Sequence, residues 1–205
     1  AFMMDILGTI TPEMTVLDFE CGSGGFLAAT VERGQISLSN VKGVDIDELP
    51  YVISKTYMAL FFKCSDEKAV DGIPVIKGNG LYDQGDNWDL VIGNPAGSSK
   101  YEHNDLEKVL KHLSRDLDLN DRDDKFSEYN FSIQRAVISV RVGGKICLIL
   151  PEGVFSNSND EYLRKFIIKH CKVLAIIGLP RGAFKRGTST RRQSGGSQTA
   201  SMKMS

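Results

Sequence analysis

Thr15-Val16-Leu17-Asp18-Phe19-Glu20-Cys21-Gly22-Ser23-Gly24-Gly25-Phe26-Leu27 decides how this chain is read. Val16 and Leu17 make a short apolar strand with Phe19 at its end, Gly22, Gly24 and Gly25 make a tight turn, and Phe26 opens a helix. In that order, backbone N–H groups at a helix N-terminus come close to a nucleotide-like ligand, because bare glycine backbone lets the ligand approach. Three glycines also occur in ordinary strand-to-helix connections. Two acids favour the ligand reading. Asp18 stands at the strand end, where a carboxylate can reach into the crevice, and Asp45 ends a second apolar strand, Val41 to Val44. The second acid lies roughly 20 residues beyond the glycines, the distance expected of a ribose-binding carboxylate in a doubly wound sheet.

Strands and helices alternate outward from there. Phe2 to Leu7 is apolar at helical spacing and begins in mid-pattern, as a piece of a longer subunit would; Thr11-Pro12-Glu13 breaks it. The helix after the glycines ends at Gly34, and Leu49 to Phe62 is a helix apolar on most faces, expected to pack on the sheet. Strands follow at Pro74 to Ile76, ahead of Gly78-Asn79-Gly80, and at Trp88 to Ile92, ahead of Gly93-Asn94-Pro95. Leu106, Val109, Leu110 and Leu113 suit an amphipathic helix, and the charged run from Arg115 to Lys125 an exposed loop. A helix from Ser127 to Val142, a turn at Gly143-Gly144, a buried strand from Lys145 to Leu150, a helix from Asn159 to Lys169 capped at Ser158, and a strand from Val173 to Leu179 complete the series. This alternation implies a doubly wound, mostly parallel α/β sheet with helices on both faces. Its ligand crevice lies outside the carboxyl ends of the strands, where Asp18 with the glycines, Asp45, Asn79 and Asn94-Pro95 converge.

Length and composition bound this further. The chain of 205 residues is enough for one α/β domain, and a net charge of -1 gives no global argument for a polyanionic partner. Local clustering exists: Arg181, Lys185, Arg186, Arg191 and Arg192 fall close together, though such runs are often no more than solvated surface. Cys21, Cys64, Cys147 and Cys171 form no Cys-x-x-Cys pair, and His103, His112 and His170 lack ligand spacing, so no metal site is expected. With no apolar run of about 18 residues and no signal-like N-terminus, the expected setting is soluble and cytoplasmic.

Asn94-Pro95 carries the second piece of chemistry. A side-chain oxygen and a main-chain carbonyl fixed at a strand end can accept both hydrogens of an exocyclic amino group and aim its lone pair at an electrophile. An Asn-Pro pair is also an ordinary turn.

From about Phe2 to Thr188 the chain resembles the amino-group DNA methyltransferases, most closely the methylation subunit of type I restriction-modification systems. Asp18-Phe19-Glu20-Cys21-Gly22-Ser23-Gly24-Gly25-Phe26-Leu27 is similar to that family's Asp-Pro-Ala-Cys-Gly-Thr/Ser-Gly-Gly-Phe-Leu loop, and Asn94-Pro95 to the start of its Asn-Pro-Pro-aromatic motif. Leu150-Pro151-Glu152-Gly153-Val154 and Leu179-Pro180-Arg181-Gly182-Ala183-Phe184-Lys185 resemble two further family segments, the latter the more diagnostic. The resemblance implies a Rossmann-like methyltransferase domain over residues 1–188. It implies S-adenosylmethionine as methyl donor and the N6 amino group of a flipped-out DNA adenine as acceptor. It also implies a separate recognition subunit and a restriction subunit as partners. Asp18, Cys21, Gly22, Ser23, Gly24, Gly25, Asp45 and Asn79 would hold the cofactor, with Asp45 on the ribose hydroxyls and Asn79 near the adenine amine. Asn94 and Pro95 would orient the target, and Arg181, Lys185 and Arg186 would meet DNA phosphates.

The chain departs from that pattern at chemically important places. Phe19-Glu20 stands for Pro-Ala, putting a carboxylate beside the loop; Asn79 stands for an Asp; Ala96-Gly97 stands for the second proline and the aromatic ring that stacks on the extruded base. Such a stack is worth roughly 1–3 kcal/mol. The missing ring motivates an alternative, a catalytically impaired relative acting as a DNA-binding or assembly subunit. Ser189 to Ser205 shows no strand-like alternation and reads as a disordered or atypical tail, so the sheet is expected to lack its last strand.

Overall fold

In the computed structural model, residues 2–82, 84–96, 129–179 and 199–204 are described. The helices are α1 (Phe2–Leu7), α2 (Gly25–Gly34), α3 (Glu48–Phe61), α4 (Glu67–Asp71), α5 (Asn130–Ser139), α6 (Gly153–Ser156) and α7 (Glu161–His170). The strands are β1 (Val16–Asp18), β2 (Val41–Asp45), β3 (Val75–Lys77), β4 (Trp88–Gly93), β5 (Val140–Pro151), β6 (Val173–Gly178) and β7 (Thr199–Met204). Among the described residues these strands form one seven-stranded sheet in the order β3-β2-β1-β4-β5-β7-β6.

Strand β1 pairs in parallel with β2 on one side and with β4 on the other. The chain therefore runs outward to β3, then returns across β1 to start the other half, and a crevice opens between the carboxyl ends of β1 and β4.

The central strands are buried on both faces because their residues alternate between two cores. Val16, Leu90, Ile92, Cys147 and Ile149 join the residues of α1 and α2. Leu17, Val91, Ile146, Leu148 and Leu150 join those of α5 and α7. From Ile146 to Leu150 no residue of β5 is more than 3% exposed, which is why this stretch reads as an unbroken apolar run. Burying each such Leu or Ile contributes about 1.5–3 kcal/mol as an upper estimate.

The doubly wound sheet matches the reading of the sequence, with four differences. First, the slot expected to be missing its strand is filled. Thr199–Met204 inserts between β5 and β6 and runs antiparallel to both. Thr-Ala-Ser-Met-Lys-Met does alternate polar and apolar residues, a signal hidden behind the Ser-, Gly- and Arg-rich stretch before it. Second, Gly143-Gly144 does not turn the chain. Helix α5 ends at Ser139, Val140 is already extended, and the glycines lie inside β5 at an irregularity where Gly143 has φ 76°. Third, α3 covers the sheet edge with one stripe only: Ser54, Met58 and Ala59 are buried, while Leu49 and Leu60 are 68% and 73% exposed. It packs on β2 and on β3, which is the edge strand of the sheet among the described residues. Fourth, Ser158 does not cap α7. It begins a short 3-10 turn, and Asp160 precedes the helix without a side-chain capping bond.

The expected helix around residues 106–113 and the charged loop at 115–125 lie outside the described residues. Among the described residues no helix is long and apolar enough to cross a membrane.

Candidate active site

The glycine turn is held in place from β2. Cys21 donates its N–H to the Val44 carbonyl at 2.9 Å, Gly22 donates its N–H to Asp45 Oδ2 at 2.8 Å, and Gly24 closes the turn onto the Cys21 carbonyl at 2.9 Å. Gly24 has φ 76°, a left-handed conformation that an L side chain resists, and a Cβ there would lie 3.1 Å from Ser54 Cβ. Helix α2 starts at the next residue, leaving Ser23 and Gly25 exposed at the rim.

Asp45 has a second donor: Asp47 N–H reaches its Oδ1 at 3.0 Å. Each carboxylate oxygen thus accepts one backbone N–H and keeps acceptor capacity for a hydroxyl. Asp18, at the end of the neighbouring strand, differs. It is 0% exposed, its Oδ1 accepts the Glu20 N–H at a long 3.4 Å, and its Oδ2 is buried with no hydrogen-bond partner among the described residues. Burial pushes its pKa well above the usual carboxylate range; the Glu20 N–H opposes this, and the charges of Glu20 and Asp45 add to it. The carboxyl does not reach into the crevice as the sequence suggested but lies sealed beneath the loop.

Asn79 follows β3 on a loop fastened from both sides. Its Oδ1 accepts the Leu81 N–H at 2.9 Å, and the Leu81 carbonyl accepts Nε and a terminal nitrogen of Arg135 at 3.0 and 2.8 Å. Gly80 is required here by close approach, since a Cβ would fall 1.6 Å from the Phe19 carbonyl oxygen. With Oδ1 engaged in that turn, Asn79 Nδ2 is left buried without a partner among the described residues. The group left over is a donor, suited to a purine ring nitrogen, where the sequence suggested an acceptor.

Asn94 is exposed just past the end of β4 and Pro95 is buried. A Cβ on Gly93 would lie 3.0 Å from Asp18 Oδ1, so the ends of β1 and β4 nearly touch. The Glu20 carboxylate spans the same gap, accepting the Ala96 N–H at 2.9 Å through Oε2 and the Ser132 hydroxyl at 2.7 Å through Oε1.

The structure thus gathers Gly22, Ser23, Gly24, Gly25, Asp45, Asn79, Asn94 and Pro95 around one crevice, with Asp18 sealed beneath its floor. Cys21 belongs to the loop through its backbone, but its thiol is turned into the core, with Sγ 3.9 Å from Ser54 Oγ, and burial raises its pKa. Arg181, Lys185 and Arg186 lie outside the described residues. Reading the sequence missed the work of Ser132 and Arg135 and left Glu20 as a mere departure. A lone arginine inside the apolar stripe of α5 was the available signal, but its partner lies 54 positions away.

Among the described residues, the open face of Gly22, with nothing within 4 Å of its Cβ position, and the unpartnered Nδ2 of Asn79 suit a nucleoside, and the unpartnered Asp18 oxygen beneath the loop suits a nearby cation, the combination S-adenosylmethionine offers. Strand order, switch point, glycine turn and antiparallel last strand together define the Rossmann-like fold of the S-adenosylmethionine-dependent methyltransferases. The chain belongs to the N-6 DNA methylase family, whose pattern it matches over residues 1–191. It is 28% identical over 197 residues to the type II restriction enzyme and methyltransferase RM.BcgI of Heyndrickxia coagulans, covering 90% of this chain and 28% of that protein. It is 21% identical over 204 residues to the type I restriction enzyme EcoEI methylase subunit of Escherichia coli, covering 91% and 38%. Among solved structures, the type I restriction-modification methyltransferase subunit of Streptococcus thermophilus superposes with TM-score 0.69 at 17% identity, covering 98% of this chain and 41% of that one. The chain spans 28% to 38% of the length of the curated relatives it matches.

Proposed function

We propose that this domain transfers a methyl group from S-adenosylmethionine to the N6 amino group of adenine in DNA, as the methylation subunit of a type I restriction-modification complex. The observation that carries the reading is the placement of Asn94-Pro95 at the carboxyl end of β4, directly beside the end of β1 and its glycine loop. The type I assembly, with its recognition and restriction subunits, rests on the segment Leu179 to Lys185.

The bound cofactor would supply an electrophilic methyl group on a sulfonium. Asp45 would accept the ribose hydroxyls with the lone pairs that the Gly22 and Asp47 N–H groups leave open. Asn79 Nδ2 would donate to the adenine ring, and a cationic end bound above the loop would draw the buried Asp18 carboxyl, whose pKa burial raises, back toward its charged form. Asn94 Oδ1 and the Pro95 carbonyl would accept both hydrogens of the target amine, so that its lone pair is held in line with the methyl group. An adenine inside the duplex cannot reach these two acceptors, so the base must be extruded. Arg181, Lys185 and Arg186 would contact phosphates and add salt dependence without sequence preference.

Calorimetric titration of S-adenosylmethionine, with Asp45→Ala as control, is the first test. Micromolar binding that the substitution abolishes is expected; no binding to the intact subunit sinks the cofactor assignment. Transfer of labelled methyl to DNA lacking adenine methylation, by the subunit assembled with its recognition partner, then tests the acceptor. Asn94→Ala is expected to abolish that transfer while leaving cofactor affinity in place.

A further inference from the structure

Glu20 and Ala96 are both departures from the sequence pattern this chain resembles, and they meet each other. A proline at position 96 would have a fixed φ and no N–H; Ala96 has neither restraint and carries a donor. That donor is taken up by Glu20 Oε2 at 2.9 Å, across 76 positions of sequence, while Oε1 takes the Ser132 hydroxyl of α5 at 2.7 Å. An alanine at position 20 could make neither contact.

We propose that Glu20 is a positioning residue for methyl transfer: its carboxylate straps the Asn94-Pro95-Ala96 turn to the glycine loop and to α5, supplying the rigidity a second proline would otherwise give. The inference rests on the proposed reading of Asn94-Pro95 as the amine-orienting pair. Two acceptors can align a lone pair only if they are held within a fraction of an ångström, and misplacement by about 1 Å can cost on the order of 100-fold in rate. Hydrogen bonds to a carboxylate are about twice as strong as neutral ones, which suits a strap across an otherwise open strand end. The same residue donates its own N–H to Asp18 Oδ1 at 3.4 Å, so the strap begins at the floor of the cofactor loop and ends at the catalytic turn. The two halves of the site are thereby mechanically joined.

The test uses the full subunit assembled with its recognition partner, DNA lacking adenine methylation, and two substitutions. Glu20→Ala is expected to lower kcat about 10–100-fold while KM for S-adenosylmethionine stays within about threefold. Glu20→Gln keeps an oxygen for the Ala96 N–H and an amide donor for the Ser132 hydroxyl, so it is expected to restore kcat to within about threefold of the parent. Amide hydrogen exchange at Ala96, which needs no activity, should speed up in Glu20→Ala and not in Glu20→Gln. Unchanged exchange at Ala96, an unchanged kcat in Glu20→Ala, or a Glu20→Gln variant as slow as Glu20→Ala each overturns the strap. So does loss of S-adenosylmethionine binding in Glu20→Ala, which would mean a general structural role. A parent subunit that binds the cofactor but methylates no DNA refutes the functional reading instead, and exchange at Ala96 still decides whether the strap exists.

Discussion

Asp45 and Asp18 end neighbouring strands, and both are nearly or fully sealed from solvent, yet they do opposite work. Asp45 receives a short backbone N–H on each oxygen and so builds the glycine turn. Asp18 receives one long hydrogen bond and leaves an oxygen unpaired, a standing cost to the fold held directly under the place where a cationic ligand is proposed to sit. The comparison teaches that a carboxylate at a strand end is not by itself a ligand contact. Its hydrogen-bond partners decide whether it supports the structure or stores polarity for a ligand.

The strongest perturbation is to push the loop after β3 away from the end of β1. In Gly80→Ala the new Cβ would meet the Phe19 carbonyl oxygen at 1.6 Å, with no rotamer to relieve it, so a loss of about 3 kcal/mol or more is expected in urea unfolding. A variant as stable as the parent would show that the loop carrying Asn79 is not packed on the end of β1. Next in size is Asp45→Asn, which offers one oxygen to two backbone donors. It should cost about 1–3 kcal/mol of stability and weaken cofactor binding at least about tenfold by calorimetry. Were both quantities unchanged, Asp45 would be no more structural than Asp18.

Asp18→Asn should act in the opposite direction. A buried acid with a raised pKa in the folded state imposes no penalty below its unfolded value of about 3.9, and the penalty grows as pH rises toward the folded pKa. The substitution should therefore raise Tm at pH 7, by roughly 2–4 °C per kcal/mol recovered, with the gain fading near pH 4. Cofactor affinity should fall in the same variant, and a variant that loses both stability and affinity would place Asp18 with Asp45. The smallest effect belongs to Asp89, far from the crevice. Burial opposes its ionisation, but the Thr15 N–H, Arg141 and the Thr15 hydroxyl hold its pKa below the usual range. Stability from this group is present above about pH 3.9 and lost as pH falls through the depressed value. Asp89→Asn should thus cost a few tenths to about 1 kcal/mol at pH 7, less at high salt, and progressively less as pH falls below about 3.9, as acid titration of the melting point would read.

What the sequence made legible follows from the range of the forces involved. The continuous apolar runs of β4 and β5, the glycine turn and the acid ending β2 are local patterns, so composition and spacing find them. Contacts such as Arg135 with Leu81 and Glu20 with Ala96 join residues 54 and 76 positions apart, and no local pattern encodes a partner at that distance. Helix α3 misled for a related reason. Leu49, Val52, Ile53 and Leu60 are apolar whether or not anything covers them, and only the sheet order reveals that α3 lies at an edge. In β7 the alternation was present, but six residues of Thr, Ala, Ser, Met and Lys carry too little hydrophobic contrast to stand out.

The last strand also sets the order in which the chain can be assembled during synthesis. β5 and β6 are not neighbours; Pro151 must wait for Thr199, and Gly178 for Ala200, before either finds its partner. Until that insertion two long rows of unpaired backbone groups stand open side by side, each a template for a strand from another chain. The half of the sheet built around β1 and β2 is made from early, nearby segments and has no such delay. During synthesis the glycine loop can therefore take shape from early segments, while the gap between β5 and β6 stays open to a strand from another chain until residues 199–204 have emerged.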